Sequence, residues 1–123
     1  MRIVLVVLLT GLLAGAALRA APAPQTFTGV VTDNMCAETG HAAMRMGPTD
    51  AECTLACIDA HGALFVLLSG KTVYGLSDQQ RPAQFAGQKV RVTGTLDPKT
   101  KTIAVASIVQ ATSARAASAR KSR

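Results

Sequence analysis

The sequence predicts a mainly β protein, a small five-stranded OB-like barrel with a loop and a helix inserted between strands 1 and 2. Two observations carry this prediction: five short segments are rich in β-branched or apolar residues, and turn signals separate them. A short helical link is expected between the third and fourth strands, which is the element order of an OB-like barrel. Closing the sheet removes its exposed edges, which suits a secreted monomer.

Local sequence signals position the strands. They are predicted at residues 26–33, 64–69, 72–76, 88–96 and 102–109. Gly70 and Lys71 make a tight turn that joins the second and third strands as a hairpin. Residues 97–100 have proline at the second position of a type I turn, so they join the last two strands. Between the two hairpins, a single helical turn is predicted at 83–86.

The segment between the first two strands combines a long loop with one helix. Residues 34–48 show no sustained hydrophobic period, and a loop of this length in so small a domain is usually functional or otherwise constrained. Thr49 and Glu52 have the spacing of a capping box, so a helix is predicted over residues 50 to about 60. Gly62 supplies the left-handed residue that ends this helix.

The N-terminal residues have the order of a secretory signal. A charged residue is followed by an apolar run over 3–18 and then by small residues. The run is shorter than the about 20 apolar residues that a membrane span needs. The sequence therefore predicts a signal peptide over 1–20, a Pro/Ala linker over 21–25 and the OB-like domain over 26–110. A periplasmic or secreted protein without a stable membrane span is expected.

The net charge of +6 does not indicate a nucleic-acid-binding protein, because the excess lies outside the predicted domain. Between residues 25 and 110, seven lysines and arginines balance seven aspartates and glutamates. A nucleic-acid-binding domain carries its basic patch on the domain itself, and three phenylalanines and one tyrosine offer few surfaces for base stacking. Residues 111–123, rich in Ala, Ser and Arg, predict a disordered basic tail.

Cysteine and histidine residues form the pattern in the sequence that could carry chemistry. Cys53, Cys57 and His61 are spaced four apart, so a helix places them along one face. Cys36 and His41 lie on the preceding loop, which can fold back over that face. A set of Cys36, His41, Cys53 and Cys57 would make a closed zinc site with three thiolates and one imidazole, and His61 is an alternate ligand.

Neighbouring residues refine this metal hypothesis. Asp33, at the end of the first strand, can orient a ligand imidazole by a hydrogen bond. Three methionines at 35, 44 and 46 flank His41, and soft thioethers beside thiolates suit copper as an alternative to zinc. Methionines in a loop over a small core are, however, more often packing residues.

Disulfide chemistry is the alternative interpretation of the three cysteines. A bond from Cys36 to Cys53 or Cys57 would staple the loop to the helix and leave one thiol over. In a thiol redox protein, Cys53 would be the nucleophile, because it lies nearest the helix N-terminus. A third hypothesis is a stapled OB-like module that binds an unidentified ligand. The sequence contains no phosphate loop, nucleophile elbow or Cys-x-x-Cys motif, and nothing in it requires an enzyme.

The segments GVVTDNMC, ECTLAC, VYGL and FAGQKVRVTGTLDPKTKTIAVASI together resemble a family of small exported bacterial OB-like proteins of unassigned function. The family pattern pairs Asp-x-x-Cys and a His with a Cys-Thr-x-x-Cys helix and a Val-x-Val-x-Gly-Thr-Leu strand. The matching positions are Asp33, Cys36, His41, Cys53, Thr54, Cys57 and 90–96. The resemblance covers about residues 27–109; it implies the architecture and no particular activity.

Overall fold

The computed structural model describes residues 21–111, which form five strands, one α-helix and one short 3₁₀ helix. The elements are β1 (Gln25–Asp33), α1 (Asp50–His61), β2 (Phe65–Ser69), β3 (Thr72–Leu76), the 3₁₀ helix (Arg81–Phe85), β4 (Lys89–Asp97) and β5 (Thr102–Gln110). The predicted signal peptide and all but the first residue of the predicted tail lie outside the described residues. Within 21–111, no helix combines the length and apolar character needed to cross a membrane.

The five strands close into a ring in the order β1-β2-β3-β5-β4. The ring closes because β1 is shared: its first half pairs with β4 and its second half pairs with β2, both antiparallel. The β3–β5 pair is parallel, and the other pairs are antiparallel. The prediction of a mainly β protein with five strands and a helix between the first two is confirmed.

Alternating side chains fill the interior of the ring. In β4, Val90 and Val92 point inward without any exposure to solvent, whereas Lys89 and Arg91 face the solvent. Leu67 from β2 and Ile103 from β5 are also completely buried. Each such side chain contributes about 1.5–3 kcal/mol when it leaves water, so this apolar cluster holds the sheet closed and gives the inserted segment a rigid base.

The structure extends the predicted link between the two hairpins by two residues toward the N-terminus. A 3₁₀ helix begins at Arg81 because the carboxylate of Asp78 accepts hydrogen bonds from the backbone N–H groups of Gln80 and Arg81, at 2.8 and 3.1 Å. These bonds, together with the side chain of Arg81, lower the pKa of Asp78. Pro82 then fixes the first turn, since its φ angle suits a helix start and it needs no N–H partner.

Helix α1 begins and ends at the residues that the sequence signals predict. The Thr49 side chain accepts a hydrogen bond from the backbone of Glu52, and the Glu52 carboxylate bonds back to the backbone of Thr49. Gly62 ends the helix in the left-handed conformation, with a φ of 65°. The helix buries one face, which carries Cys53, Thr54 and Cys57, and it packs against β1.

Replacing Gly94 by alanine tests a close approach between the backbones of β4 and β5. Gly94 lies at the register shift in β4, where an added Cβ would overlap the carbonyl oxygen of Ala104 and lie 2.8 Å from Ile103. We expect Gly94→Ala to lower the free energy of unfolding by about 1–3 kcal/mol, which is the usual cost of overpacking. Urea denaturation followed by circular dichroism measures the change.

Val109→Ala in the neighbouring strand is the matched control, because Val109 is 46% exposed. Its effect should stay within about 0.5 kcal/mol. Equal losses from the two variants would contradict the close approach at Gly94.

Candidate metal centre

The carboxylate of Asp33 forms the turn that brings Cys36 to the end of β1. Its Oδ1 atom accepts hydrogen bonds from the backbone N–H groups of Met35 and Cys36, both at 3.0 Å. The backbone N–H of Ala37 adds a bond to the Asp33 carbonyl oxygen, also at 3.0 Å. The Asp-x-x-Cys spacing therefore has a physical reason: the acid one turn before the cysteine fixes the backbone of the turn.

Helix α1 supplies the opposite wall of the site. Cys53 and Cys57 are four residues apart, so they lie on the same buried face, and neither has any exposure to solvent. Thr54, on the same face, is also completely buried. Because α1 packs against β1, this face meets the turn that carries Cys36.

Three buried side chains converge where the turn and the helix meet. The carboxylate of Asp33 and the sulfur atoms of Cys36 and Cys57 all lie within 4.8 Å of one another. Their exposures are 0, 3 and 0%. One oxygen and two sulfur atoms at this separation can reach a single transition-metal ion, since zinc–sulfur bonds are about 2.3 Å and zinc–oxygen bonds about 2.0–2.2 Å. The group therefore could hold a metal ion.

His41 contacts the acid of this group and does not belong to the group itself. Its Nε2 atom lies 3.2 Å from Asp33 Oδ2, 3.2 Å from Thr54 Oγ1 and 3.4 Å from Thr32 Oγ1. Its Nδ1 atom lies 3.3 Å from the carboxylate of the exposed Asp50. The ring thus links Asp33 to the start of α1. Hydrogen bonding between Asp33 and an imidazole, which the sequence led us to expect, is present.

Cys53 and His61, the other two predicted ligands, do not belong to the group of Asp33, Cys36 and Cys57. The thiol of Cys53 donates to the carbonyl oxygen of Met44 at 3.3 Å, and its sulfur accepts from the backbone N–H of Met46 at 3.2 Å. Cys53 therefore fastens the loop to the helix, and it lies beside Cys57. His61 is exposed at the last position of α1.

Sequence reasoning missed two features of this site. It gave Asp33 only an orienting role, whereas the carboxylate belongs to the group of close ligand atoms. It also left Met46 open between copper binding and packing, and it did not place the Met46 sulfur 3.7 Å from the sulfur of Cys57. The Asp-x-x-Cys spacing could have indicated that Asp33 belongs to the group, because an acid at the N-terminus of a turn faces the same side as the third residue after it.

Burial controls the acidity of Cys36 and Cys57. All three cysteines are thiols in the structure. Burial, and after it the negative charge of Asp33, raises the pKa of Cys36 to about 12. The same two causes, in the same order, raise the pKa of Cys57. A metal ion lowers the pKa of a coordinating thiol, so an ion bound here would have to displace thiol protons.

A small cavity opens beside the cluster. Its volume is about 250 Å³, and its polar lining comes from Thr32, Cys36, His41 and Asp50. Cys36 is therefore the member of the close group that borders this cavity. The cavity offers a small ion or molecule an approach from the solvent to the thiol of Cys36.

Comparison with known proteins finds no match to this chain among protein-family models, curated proteins or solved structures. The resemblance to small exported OB-like proteins therefore stays a prediction. Function has to be inferred from the chemistry of the residues themselves.

The raised thiol pKa of Cys36 predicts a loss of stability in alkaline solution for metal-free, reduced protein. Unfolded thiols ionise near the ordinary value of 9.0, whereas folded Cys36 keeps its proton up to about 12. The unfolded state therefore binds fewer protons between these values, and the free energy of unfolding falls as the pH rises through this window. Urea denaturation at a series of pH values measures the slope.

Cys36→Ala should flatten this alkaline decline, whatever its effect on stability at neutral pH. The comparison of slopes cancels contributions from lysine and tyrosine, which are present in both proteins. A decline as steep in the variant as in the parent protein would show that Cys36 ionises normally.

Proposed function

We propose that this protein is an exported accessory protein that binds one transition-metal ion at the group formed by Asp33, Cys36 and Cys57. The observation that carries the proposal is the convergence of these three ligand atoms within 4.8 Å, with all three side chains buried. Thiolate and carboxylate are ligands that zinc uses in proteins, and thiolate is also a preferred ligand of copper.

The electrostatics of the group favour a cation. Among residues 21–111, Asp33 contacts the ring of His41, which is charged only when protonated, and it pairs with no lysine or arginine. Two thiols that would become anions lie beside this buried carboxylate, and burying unpaired charge is costly. A bound ion supplies the compensating positive charge, and its binding free energy adds to the stability of the loop and helix.

Each side chain has a distinct role in the proposed centre. Cys36 and Cys57 are the thiolate ligands, and Asp33 is the nearest oxygen ligand. His41 contacts Asp33 and holds the orientation of the carboxylate. Cys53 is held against the loop backbone and is the next sulfur available to the ion. Zinc is the first candidate and copper the alternative.

Export and the OB-like architecture belong to the same proposal. The apolar run over 3–18 supports a signal peptide and therefore a periplasmic or secreted location. The closed order of the five strands and the 3₁₀ helix between β3 and β4 support an OB-like barrel. On this view the ring is the scaffold, and the segment between β1 and β2 carries the function.

Thiol/disulfide chemistry is the second candidate, because the proximity of Cys36 and Cys57 also favours it. Two sulfur atoms within 4.8 Å need a modest movement to reach the bond length of about 2.0 Å. A loop of about 20 residues closed in this way would contribute roughly 3 kcal/mol. Burial of all three thiols argues against rapid exchange with a partner, since thiolates in accessible, electropositive surroundings are the reactive ones.

Metal analysis of protein purified from cells that express the full chain tests the first candidate. We expect about one equivalent of zinc or copper per chain, and a rise in melting temperature when metal is added to chelator-treated protein. Cys36→Ser and Cys57→Ser should each abolish the stoichiometric binding, because each removes a thiolate ligand.

His61→Ala is the control variant, since His61 is exposed and should leave binding unchanged. Circular dichroism of each serine variant shows whether it still folds. Less than about a tenth of an equivalent in the parent protein, with no thermal shift on adding zinc or copper, would contradict the proposal. Two thiols lost on denaturing, non-reducing mass analysis of metal-free protein would favour the disulfide.

A further inference from the structure

The thioether of Met46 contacts the thiol of Cys57. The two sulfur atoms are 3.7 Å apart, and Cys57 is the helix cysteine in the close group with Asp33 and Cys36. Two sulfur atoms that each lie about 2.3 Å from one ion, at angles of about 110–120°, are separated by about 3.8–4.0 Å. The separation of the Met46 and Cys57 sulfur atoms therefore matches, to within a few tenths of an ångström, the distance between two sulfur ligands of one ion.

The position of Met46 is fixed by its own backbone. Its N–H donates to the sulfur of Cys53 at 3.2 Å, and the thiol of Cys53 donates to the carbonyl oxygen of Met44 at 3.3 Å. The loop is thus fastened to the helix on both sides of the residue that precedes Met46. The backbone of Met46 therefore loses little further freedom when its thioether binds an ion.

We infer that Met46 is a metal ligand and that the centre selects a soft monovalent ion, Cu(I), over Zn(II). This inference rests on the metal-binding function proposed above, names the class of ion, and reverses the order of zinc and copper given there. The ligands are the thiolates of Cys57 and Cys36 and the thioether of Met46. Thioethers are soft ligands that suit Cu(I), whereas carboxylate and imidazole suit harder or borderline ions.

The hydrogen bonds of Asp33 support the same choice. Its Oδ1 atom accepts two backbone N–H groups and its Oδ2 atom faces His41, so both oxygens already have partners. A divalent ion that requires an oxygen ligand competes with these contacts, and an ion bound only by sulfur leaves them intact. With Cu(I), Asp33 builds the turn and contributes negative charge beside the ion, and it is not the oxygen ligand that it would be for zinc.

Net charge does not favour Cu(I). Two thiolates that bind Cu(I) leave the buried site one unit more negative than the two thiols, whereas two thiolates that bind Zn(II) leave its net charge unchanged. The donor atoms are therefore the basis for the choice of Cu(I), and the sulfur of Met46 is the atom that zinc uses least.

The exposed thioether of Met46 gives an ion access from the solvent to Cys57. Cys57 has no exposure to solvent, whereas Met46 is 37% exposed and contacts it directly. An ion carried by soft surface groups can therefore meet the thioether first and pass to the thiol.

Competition titrations of Met46→Leu test the inference. Reduced protein purified from cells that express the full chain is titrated anaerobically with Cu(I) against bicinchoninate, and separately with Zn(II) against a pyridylazo indicator. We expect Met46→Leu to weaken Cu(I) binding by about tenfold or more, the size of effect that loss of a supporting group has on metal sites. Zinc binding should change by less than about twofold.

Met44→Leu is the matched control, since Met44 lies on the same loop with similar exposure and offers Cys53 only its backbone carbonyl. It should leave the affinity for both ions unchanged. Because leucine keeps most of the packing volume of methionine, a role limited to filling space predicts equal copper affinity in the two variants and the parent protein. That result would overturn the inference.

X-ray absorption of Cu(I) bound to selenomethionine-labelled protein gives a second readout, independent of stability. A selenium neighbour of copper in the parent protein, absent in Met46→Leu, is expected. Copper without a selenium neighbour would overturn the role of Met46 while leaving metal binding intact. If the parent protein binds neither Cu(I) nor Zn(II) at about one equivalent, the proposed function fails as well, so the two failures are distinguishable.

Discussion

The carboxylate of Asp33 is completely buried at the end of β1 and is contacted from three directions. Backbone N–H groups of the following turn donate to one oxygen, the ring of His41 faces the other, and the thiols of Cys36 and Cys57 lie within 4.8 Å. An acid in this position must have partners, because a buried and unpaired carboxylate is strongly destabilising. The loop supplies the backbone N–H groups and the ring of His41, and α1 holds that ring through Asp50 and Thr54.

The closed sheet supplies stability that offsets the cost of burying these polar groups. Its interior is filled by apolar side chains that need no polar partner, among them Leu67, Val90 and Ile103. Stability therefore comes mainly from the ring, and the segment between β1 and β2 is free to bury polar and sulfur-bearing groups. Within residues 21–111, every buried side-chain nitrogen and oxygen atom has a hydrogen-bond partner. The buried polar groups of the segment between β1 and β2 are therefore all hydrogen-bonded.

Contacts between sulfur atoms join separate parts of the segment between β1 and β2. Cys57 lies beside Cys36, Cys53 and Met46, which come from three separate parts of the insertion. Such a cluster is weakly polar when protonated, and it becomes strongly attractive to a soft cation once protons leave. Burial favours the protonated thiols of Cys36 and Cys57 in the ion-free protein, and an ion bound here would replace those protons.

Local signals in the sequence determined the elements of the fold. Alternating residues and turn residues gave the five strands to within a residue or two, and the capping box and Gly62 gave both ends of α1. Helix geometry alone placed Cys53 and Cys57 on one face, because residues four apart always share a face. Each of these features depends on residues that are near one another in the chain, so a pattern can reveal it.

The contacts that make the candidate site were decided by tertiary structure. Cys36 meets Cys57 only because a loop of about 20 residues closes onto the helix, and no local period records such a closure. The orientation of His41 toward Asp33 and the approach of Met46 to Cys57 likewise depend on how the insertion packs against β1. The sequence indicated most of the side chains of the candidate site and the helix face that carries Cys53 and Cys57. Which of their atoms come together depends on the tertiary structure.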